Sequence, residues 1–163
     1  MSIYHASITV DHKPEAVWNY LVDPFNASRW IYGAPQFELL DPGATAIGTR
    51  FKLTYPDYPM LVQVDGLVAD RELRFRFIEG PAAGIQRVYR LAPMDGRTRL
   101  ESDLTISLKG AWKLAFPLLV FREWRDRGYS ITKIAEELGQ ARTEGQPEHA
   151  EWMAPMPARG EHL

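Results

Sequence analysis

The chain has 163 residues, 45% hydrophobic and 25% charged, a globular composition that excludes disordered and collagen-like structure. Nineteen basic residues against 21 acidic ones give a net charge of −2, which argues against a nucleic-acid partner. There is no cysteine, so disulfide frameworks, thiolate zinc sites and cysteine nucleophiles are impossible.

Residues 3–10 alternate as a strand, with Ile8 and Val10 on one face and Ser7 and Thr9 on the other. Asp11-His12-Lys13-Pro14-Glu15 then turns the chain and opens a helix. Proline suits the first helical position because its missing N–H has no partner there, and Glu15 complements the positive helix end. Asp23-Pro24 stops this helix, because a residue before proline is pushed out of the α region. A second short helix is predicted over residues 26–31. The pattern then changes to period two. Strands are expected at residues 37–40, 48–55, 60–69, about 73–77, 85–91 and 99–108. In the third of these, Val62, Val64 and Val68 are assigned to one face. Pro56-Asp57-Tyr58-Pro59-Met60 reads as a proline-rich loop and a candidate entrance flap. Met94-Asp95-Gly96-Arg97 carries the Asp-Gly pair of a tight hairpin. From about residue 111 to 142 apolar residues recur at spacings of three and four, which predicts a helix with a break near Pro117. Residues 143–163 are rich in proline and glycine without periodicity and read as a flexible tail after a single domain spanning residues 1–142.

Consecutive strands with short turns make an antiparallel sheet, and a strand with one apolar face needs cover on that face. Only one long helix is available to supply it. A curved sheet gripping one helix about 10 Å wide leaves space between the two layers. The expected class is therefore α+β: a curved antiparallel sheet of about seven strands wrapped around a long C-terminal helix, with two short helices after the first strand.

Several motifs occur in a telling order: Ile8-Thr9-Val10, then Lys13-Pro14-Glu15-Ala16-Val17-Trp18, Asp23 and Arg29-Trp30, then Gly48-Thr49-Arg50, the Asp70-Arg71-Glu72-Leu73 turn, and Gly96-Arg97-Thr98-Arg99-Leu100. With the closing helix, they resemble the helix-grip superfamily (Bet v 1-like, START-like, SRPBCC), and within it the polyketide cyclase/dehydrase-like group. The resemblance covers roughly residues 3 to 142. It implies a hydrophobic cavity but no single activity, because members include lipid and sterol carriers, receptors and aromatase/cyclases.

Strand parity nominates the residues that face this cavity. Ile85 and Leu91 set the inward face of their strand, which turns Arg87 and Tyr89 inward as well. A guanidinium facing apolar surroundings needs an anion or several acceptors. Arg87 therefore either binds a carboxylate, enolate or phenolate of a ligand or is held by a structural partner. Tyr89 and Tyr55 bring apolar rings with one polar tip, suited either to an aromatic ligand or to core packing. Phe75, Phe77 and Ser102 share the inward phase of their strands, whereas Glu79 sits at a strand end and Asp65 is expected to face solvent. The resemblance puts Trp30 and Tyr32 at the cavity mouth; Trp112, Phe116, Phe121 and Trp124 lie on or before the long helix, and some of them should line the lid side, Phe121 and Trp124 being the candidates. Residues 109–127 mix apolar and basic side chains and read either as the packed closing helix or as a membrane-surface anchor.

The four histidines, His5, His12, His149 and His162, form no ligand-spaced cluster, so no metal is expected. A nucleotide-binding glycine loop and a Gly-x-Ser-x-Gly elbow are both missing, and no cofactor is expected. The start of the sequence has no basic segment leading into an apolar run, and residues 114–121, the longest apolar stretch, fall well short of the ~20 needed to span a bilayer. A cytoplasmic monomer or homodimer is the default. The leading functional expectation is non-covalent binding of a small hydrophobic or aromatic molecule, of lipid, polyketide or steroid-like type. A cyclase/aromatase using Arg87, Tyr89 and Tyr55 is the first alternative. A protein-interaction module with its cavity collapsed by Phe75, Phe77 and Trp124 is the second.

Overall fold

The computed structural model describes residues 2–31, 35–56, 58–107 and 129–138. In chain order these form β1 (Ser2–Val10), α1 (Pro14–Val22), a 3₁₀ turn (Pro24–Asn26), α2 (Ala27–Trp30), β2 (Gln36–Leu39), β3 (Arg50–Tyr55), β4 (Tyr58–Val68), β5 (Glu72–Glu79), β6 (Ile85–Met94), β7 (Arg97–Ile106) and α3 (Tyr129–Glu137). Tyr32, Trp112, Phe116, Phe121, Trp124, the basic stretch 109–127 and the 143–163 tail lie outside the described residues.

The seven strands form one sheet in the order β1-β7-β6-β5-β4-β3-β2, every pair antiparallel. Strands β2 to β7 follow as simple hairpins, and β1 closes the order by pairing with β7. The first two strands in sequence therefore lie at opposite edges, and α1 and α2 carry the chain across the sheet between them. Helix α1 packs on β6 and β7, and α2 on β2 and α3.

Local chemistry accounts for the ends of these elements. Pro14 opens α1 behind Lys13, and Glu15 lies in its first turn. Asp23 is extended (φ −73°, ψ 111°) and accepts the Phe25 N–H on Oδ1 at 2.9 Å, which starts the 3₁₀ turn as α1 ends. Between β6 and β7, Asp95 and Gly96 both take positive φ (44° and 82°), as a two-residue hairpin with the twist of its strands requires.

Two sequence expectations are corrected. The segment read as a proline-rich loop is paired strand on either side of residue 57: β4 begins at Tyr58, pairing continues through Thr54–Pro59 to Tyr55–Tyr58, and the two tyrosine rings stack with centroids 5.5 Å apart. Pro59 is tolerated there because β5 pairs with β4 only from Leu61 inward, so no neighbour asks for its missing N–H. The second correction concerns Val68. The β4–β5 register shifts between Val64 and Gly66, where Asp65 is the extra residue of a bulge. The inserted residue inverts the phase, so Val68 is 50% exposed and Leu67 packs against the core. A second shift lies between Leu61 and Val62. Bulges bend and twist a strand, which curves the sheet around its apolar face.

The core lies between that concave face and the helices. Ile8, Leu53, Leu73, Ile85, Leu100 and Ile106 of the sheet meet Ile131 and Ile134 of α3, all at most 1% exposed. The β1–α1 corner is fastened to both layers. His12 Nε2 donates to the Leu138 carbonyl just past α3 at 2.5 Å, and Thr98 Oγ1 donates to the His12 carbonyl at 2.7 Å. The opposite sheet face carries charge: Asp103 sits between His5 and Arg90, Glu72 between Arg74 and Arg90, and Asp65 bonds Arg76 and Gln86.

Candidate functional site

Parity along β6 turns Arg87 and Tyr89 toward the helices, and both are buried, at 9% and 0% exposure. Arg87 Nη1 donates to Ser130 Oγ of α3 at 2.8 Å and more weakly to the Tyr89 hydroxyl at 3.4 Å. Across the sheet Arg87 pairs with Phe75 and Leu104, and Tyr89 with Leu73 and Ser102. Ser102 is buried at 5% exposure. A guanidinium, a phenol and two hydroxyl residues thus line the seam where sheet and helix meet. Ser130 is absent from the sequence-based candidates, although its spacing of four from Ile134 puts both on one helical face.

Beside this seam lies a pocket of about 310 Å³, counted to its open mouth. Its interior is slim, with room for about one water molecule. The helical side supplies Leu21, Val22, Ala27 and Trp30, and the sheet side Phe37, Phe51, Val64 and Phe75. Thr45 and Thr49 complete it from the loop before β3. None of the described lining residues is ionisable. Of the residues nominated from sequence, Trp30 and Phe75 line this pocket; Arg87, Tyr89, Tyr55, Phe77 and Ser102 do not. Tyr55 is stacked on Tyr58 at the hairpin end, and Phe77 is half-buried opposite Val62.

Aromatic rings connect the two regions. Phe37 lies 5.3 Å from Phe51, and Phe51 meets Phe75 edge-on at 5.5 Å. Trp30 meets Tyr89 edge-on at 5.4 Å and lies 6.3 Å from Phe75. Trp30 therefore belongs both to the pocket wall and to the Arg87–Tyr89 seam. It is 2% exposed, and its indole Nε1 has no hydrogen-bond acceptor among the described residues.

Short polar bonds hold the loop wall in place. Arg50 grips Asp41 through its backbone N–H, Nε and Nη2 at 2.9, 2.9 and 3.0 Å, and these bonds hold the Asp41 carboxyl below its ordinary range. Thr45 Oγ1 donates to the Val22 carbonyl of α1 at 2.6 Å. The Ala46 N–H donates to Thr49 Oγ1 at 3.0 Å, and Gly48 (φ 93°) and Thr49 bond Val64 of β4 through the backbone at 2.8 Å each. Behind the helical wall, burial and then the negative charge of Glu137 push the Tyr20 hydroxyl up to about 12. Among the described residues, no group of three or more His, Asp or Glu side chains could hold a metal ion. None of the described helices is long and apolar enough to cross a membrane.

An antiparallel seven-stranded sheet closed by a C-terminal helix, with short helices after its first strand, is a helix-grip fold. The chain belongs to the polyketide cyclase/dehydrase and lipid transport family, whose pattern matches residues 1–132. Solved structures share the fold at low identity. A protein from Arthrobacter aurescens superposes with a TM-score of 0.65 at 16% identity, over 86% of this chain and 87% of that one. The Aha1 dimer from Colwellia psychrerythraea gives 0.54 at 14% identity, over 80% and 98%. DynU16, a protein in the dynemicin biosynthetic locus, gives 0.56 at 15% identity over 85% of this chain, which spans 47% of DynU16. A comparison with curated proteins found no match.

Proposed function

We propose that this protein binds a small hydrophobic or aromatic molecule, without covalent chemistry, in the pocket between its short helices and strands β2 to β5. The supporting observation is the pocket itself: an aromatic-lined cleft with no ionisable side chain among the described lining residues, walled by α1 and α2 on one side and β2 to β5 on the other. Ligand pockets are typically apolar clefts with a few placed polar groups. Trp30 and Phe75 are the proposed contact residues. The test is a titration of isotope-labelled protein with toluene, followed through backbone amide shifts. Shifts centred on Ala27, Phe51 and Val64 that vanish in Ala27→Leu, which fills the cleft, support the reading. An unchanged spectrum, or shifts scattered over the surface, refutes it. Native mass spectrometry of protein from its own host would then name the ligand class. A homodimer is the alternative to a monomer, in keeping with the neighbour solved as the Aha1 dimer.

The second reading is a cyclase or aromatase, and the buried Arg87–Tyr89–Ser130 cluster favours it. A guanidinium and a phenol beside an apolar cleft could polarise a carbonyl and guide ring closure, with the cavity supplying orientation. On a turned-over substrate, Arg87→Ala and Tyr89→Phe separate the cases. Loss of turnover with retained affinity indicates chemistry, and loss of affinity alone indicates recognition.

A further inference from the structure

Two large apolar side chains stand in solvent beside the cleft: Phe25 is 76% exposed and Ile47 67%. Phe25 sits in the 3₁₀ turn closed by the Asn26 N–H on the Asp23 carbonyl, and Ile47 in the turn closed by the Thr49 N–H on the Ala46 carbonyl. Exposed turns ordinarily carry small or polar residues. The two turns are brought together, because the Thr45 hydroxyl bonds the Val22 carbonyl at 2.6 Å, two residues from Ile47 and three from Phe25. Leu40, 38% exposed, lies at the start of the same loop as Ile47, where its N–H donates to the Arg50 carbonyl. Scattered exposed apolar residues need no explanation, whereas neighbouring ones mark a surface that something covers.

The chain supplies an occupant of its own. Helix α3 ends at Glu137, whose carboxylate lies 3.8 Å from Arg29, and Arg29 is four residues beyond Phe25. The chain therefore continues past Leu138 from the side of the patch. Residues 139–151 are mostly polar, and the stretch that follows, Trp152-Met153-Ala154-Pro155-Met156-Pro157, is entirely apolar. Trp152 comes 14 residues after Leu138, a coil distance of about 20 Å, enough to pass Arg29 and reach the two turns. Pro155 and Pro157 favour an extended backbone, the form in which proline-bearing segments lie on apolar surfaces. Charge agrees as well: Glu148 and Glu151 precede the apolar stretch, and the exposed Arg29 borders the patch. Tethering supplies an effective concentration on the order of millimolar, so a contact too weak to form between molecules is populated within one. We infer that residues 152–157 dock on the Phe25–Ile47 surface of the same chain, covering the edge of the cleft beside Val22 and Thr45. This contact is independent of whether the cleft takes a ligand.

The chain has no cysteine, so a nitroxide on Ala158→Cys labels one place in the full-length protein. Broadening of backbone amide signals by the nitroxide then reads where residue 158 dwells. The amides of Asn26, Ala46 and Gly48 should broaden selectively, beyond the broadening around Leu138 where the tail departs. That selective broadening should be lost in Trp152→Ser and in the double variant Phe25→Ser/Ile47→Ser. Phe25 and Ile47 are exposed, so the double variant keeps its core, and Trp152→Ser tests the contact from the tail side without touching the patch. Broadening that is uniform, centred elsewhere or unchanged by Trp152→Ser overturns the inference. So does selective broadening in a mixture of spin-labelled protein with isotope-labelled protein lacking the nitroxide, which assigns the surface to a second copy. Absence of broadening together with Phe25-dependent flotation on phosphatidylcholine vesicles assigns it to a lipid surface and equally overturns the inference.

Discussion

Arg87 of β6 and Ser130 of α3 join sheet to helix through one buried bond, Nη1 to Oγ at 2.8 Å. It ties the guanidinium to a particular position of the helix along the sheet. Hydrogen bonds to charged groups contribute about 1.5–3 kcal/mol, and Ser130→Ala should lower the unfolding free energy by that amount in urea titrations. A change below about 0.5 kcal/mol would mean the bond is absent in solution.

The Asp65 bulge makes a sharp prediction about two neighbours. Leu67 packs against the core and Val68 is half exposed, so Leu67→Ala should destabilise by about 1–2 kcal/mol and Val68→Ala by less than about 0.5. Paired denaturant curves check this, and a reversed order would restore the uninterrupted alternation expected from sequence.

Two glycines with similar φ separate conformational strain from steric clash. At Gly96 (φ 82°) a Cβ would meet nothing within 4 Å, so Gly96→Ala should cost about 1 kcal/mol from backbone strain alone. At Gly80 (φ 91°) it would lie 2.6 Å from the Pro59 carbonyl oxygen, so Gly80→Ala should cost about 2 kcal/mol or more. Equal melting temperatures for the two variants would contradict the β4–β5 geometry.

Acid sensitivity should pass through Asp103. Burial raises its carboxyl, but hydrogen bonds from His5 and Arg90 outweigh that and bring it below its ordinary value of 3.8. A depressed folded-state value adds stability that is present above the unfolded value and is lost as pH falls through the folded one. The stability gap between wild type and Asp103→Asn should therefore persist at about pH 5 and close on further acidification below the ordinary carboxylate range. A gap independent of pH across that window would show that the carboxylate is not held by its neighbours.

The sheet was readable because parity is a local property. Period two along β6 and β7 fixes which of Arg87, Tyr89, Leu100, Ser102 and Leu104 face inward, and all five are buried. Parity fails at Val68 because one inserted residue inverts every position after it without changing composition. The location of the cleft was not readable for a different reason. Alternation assigns a residue to a face but not to a place along the sheet, so Phe37, Thr49 and Phe51 gave no sign that they meet Leu21, Ala27 and Trp30. That meeting depends on the chain's path from β1 at one edge to β2 at the other.

This path makes residues 11–31 a strap drawn across the hollow of the sheet, fastened at its start by His12 and Thr98 and again where Thr45 bonds Val22. Trp30 and Ala27 ride on the strap, while the strands supply the opposite wall. On the proposed function, substitutions in this short crossing segment would reshape the cleft while the woven framework beneath it stays intact.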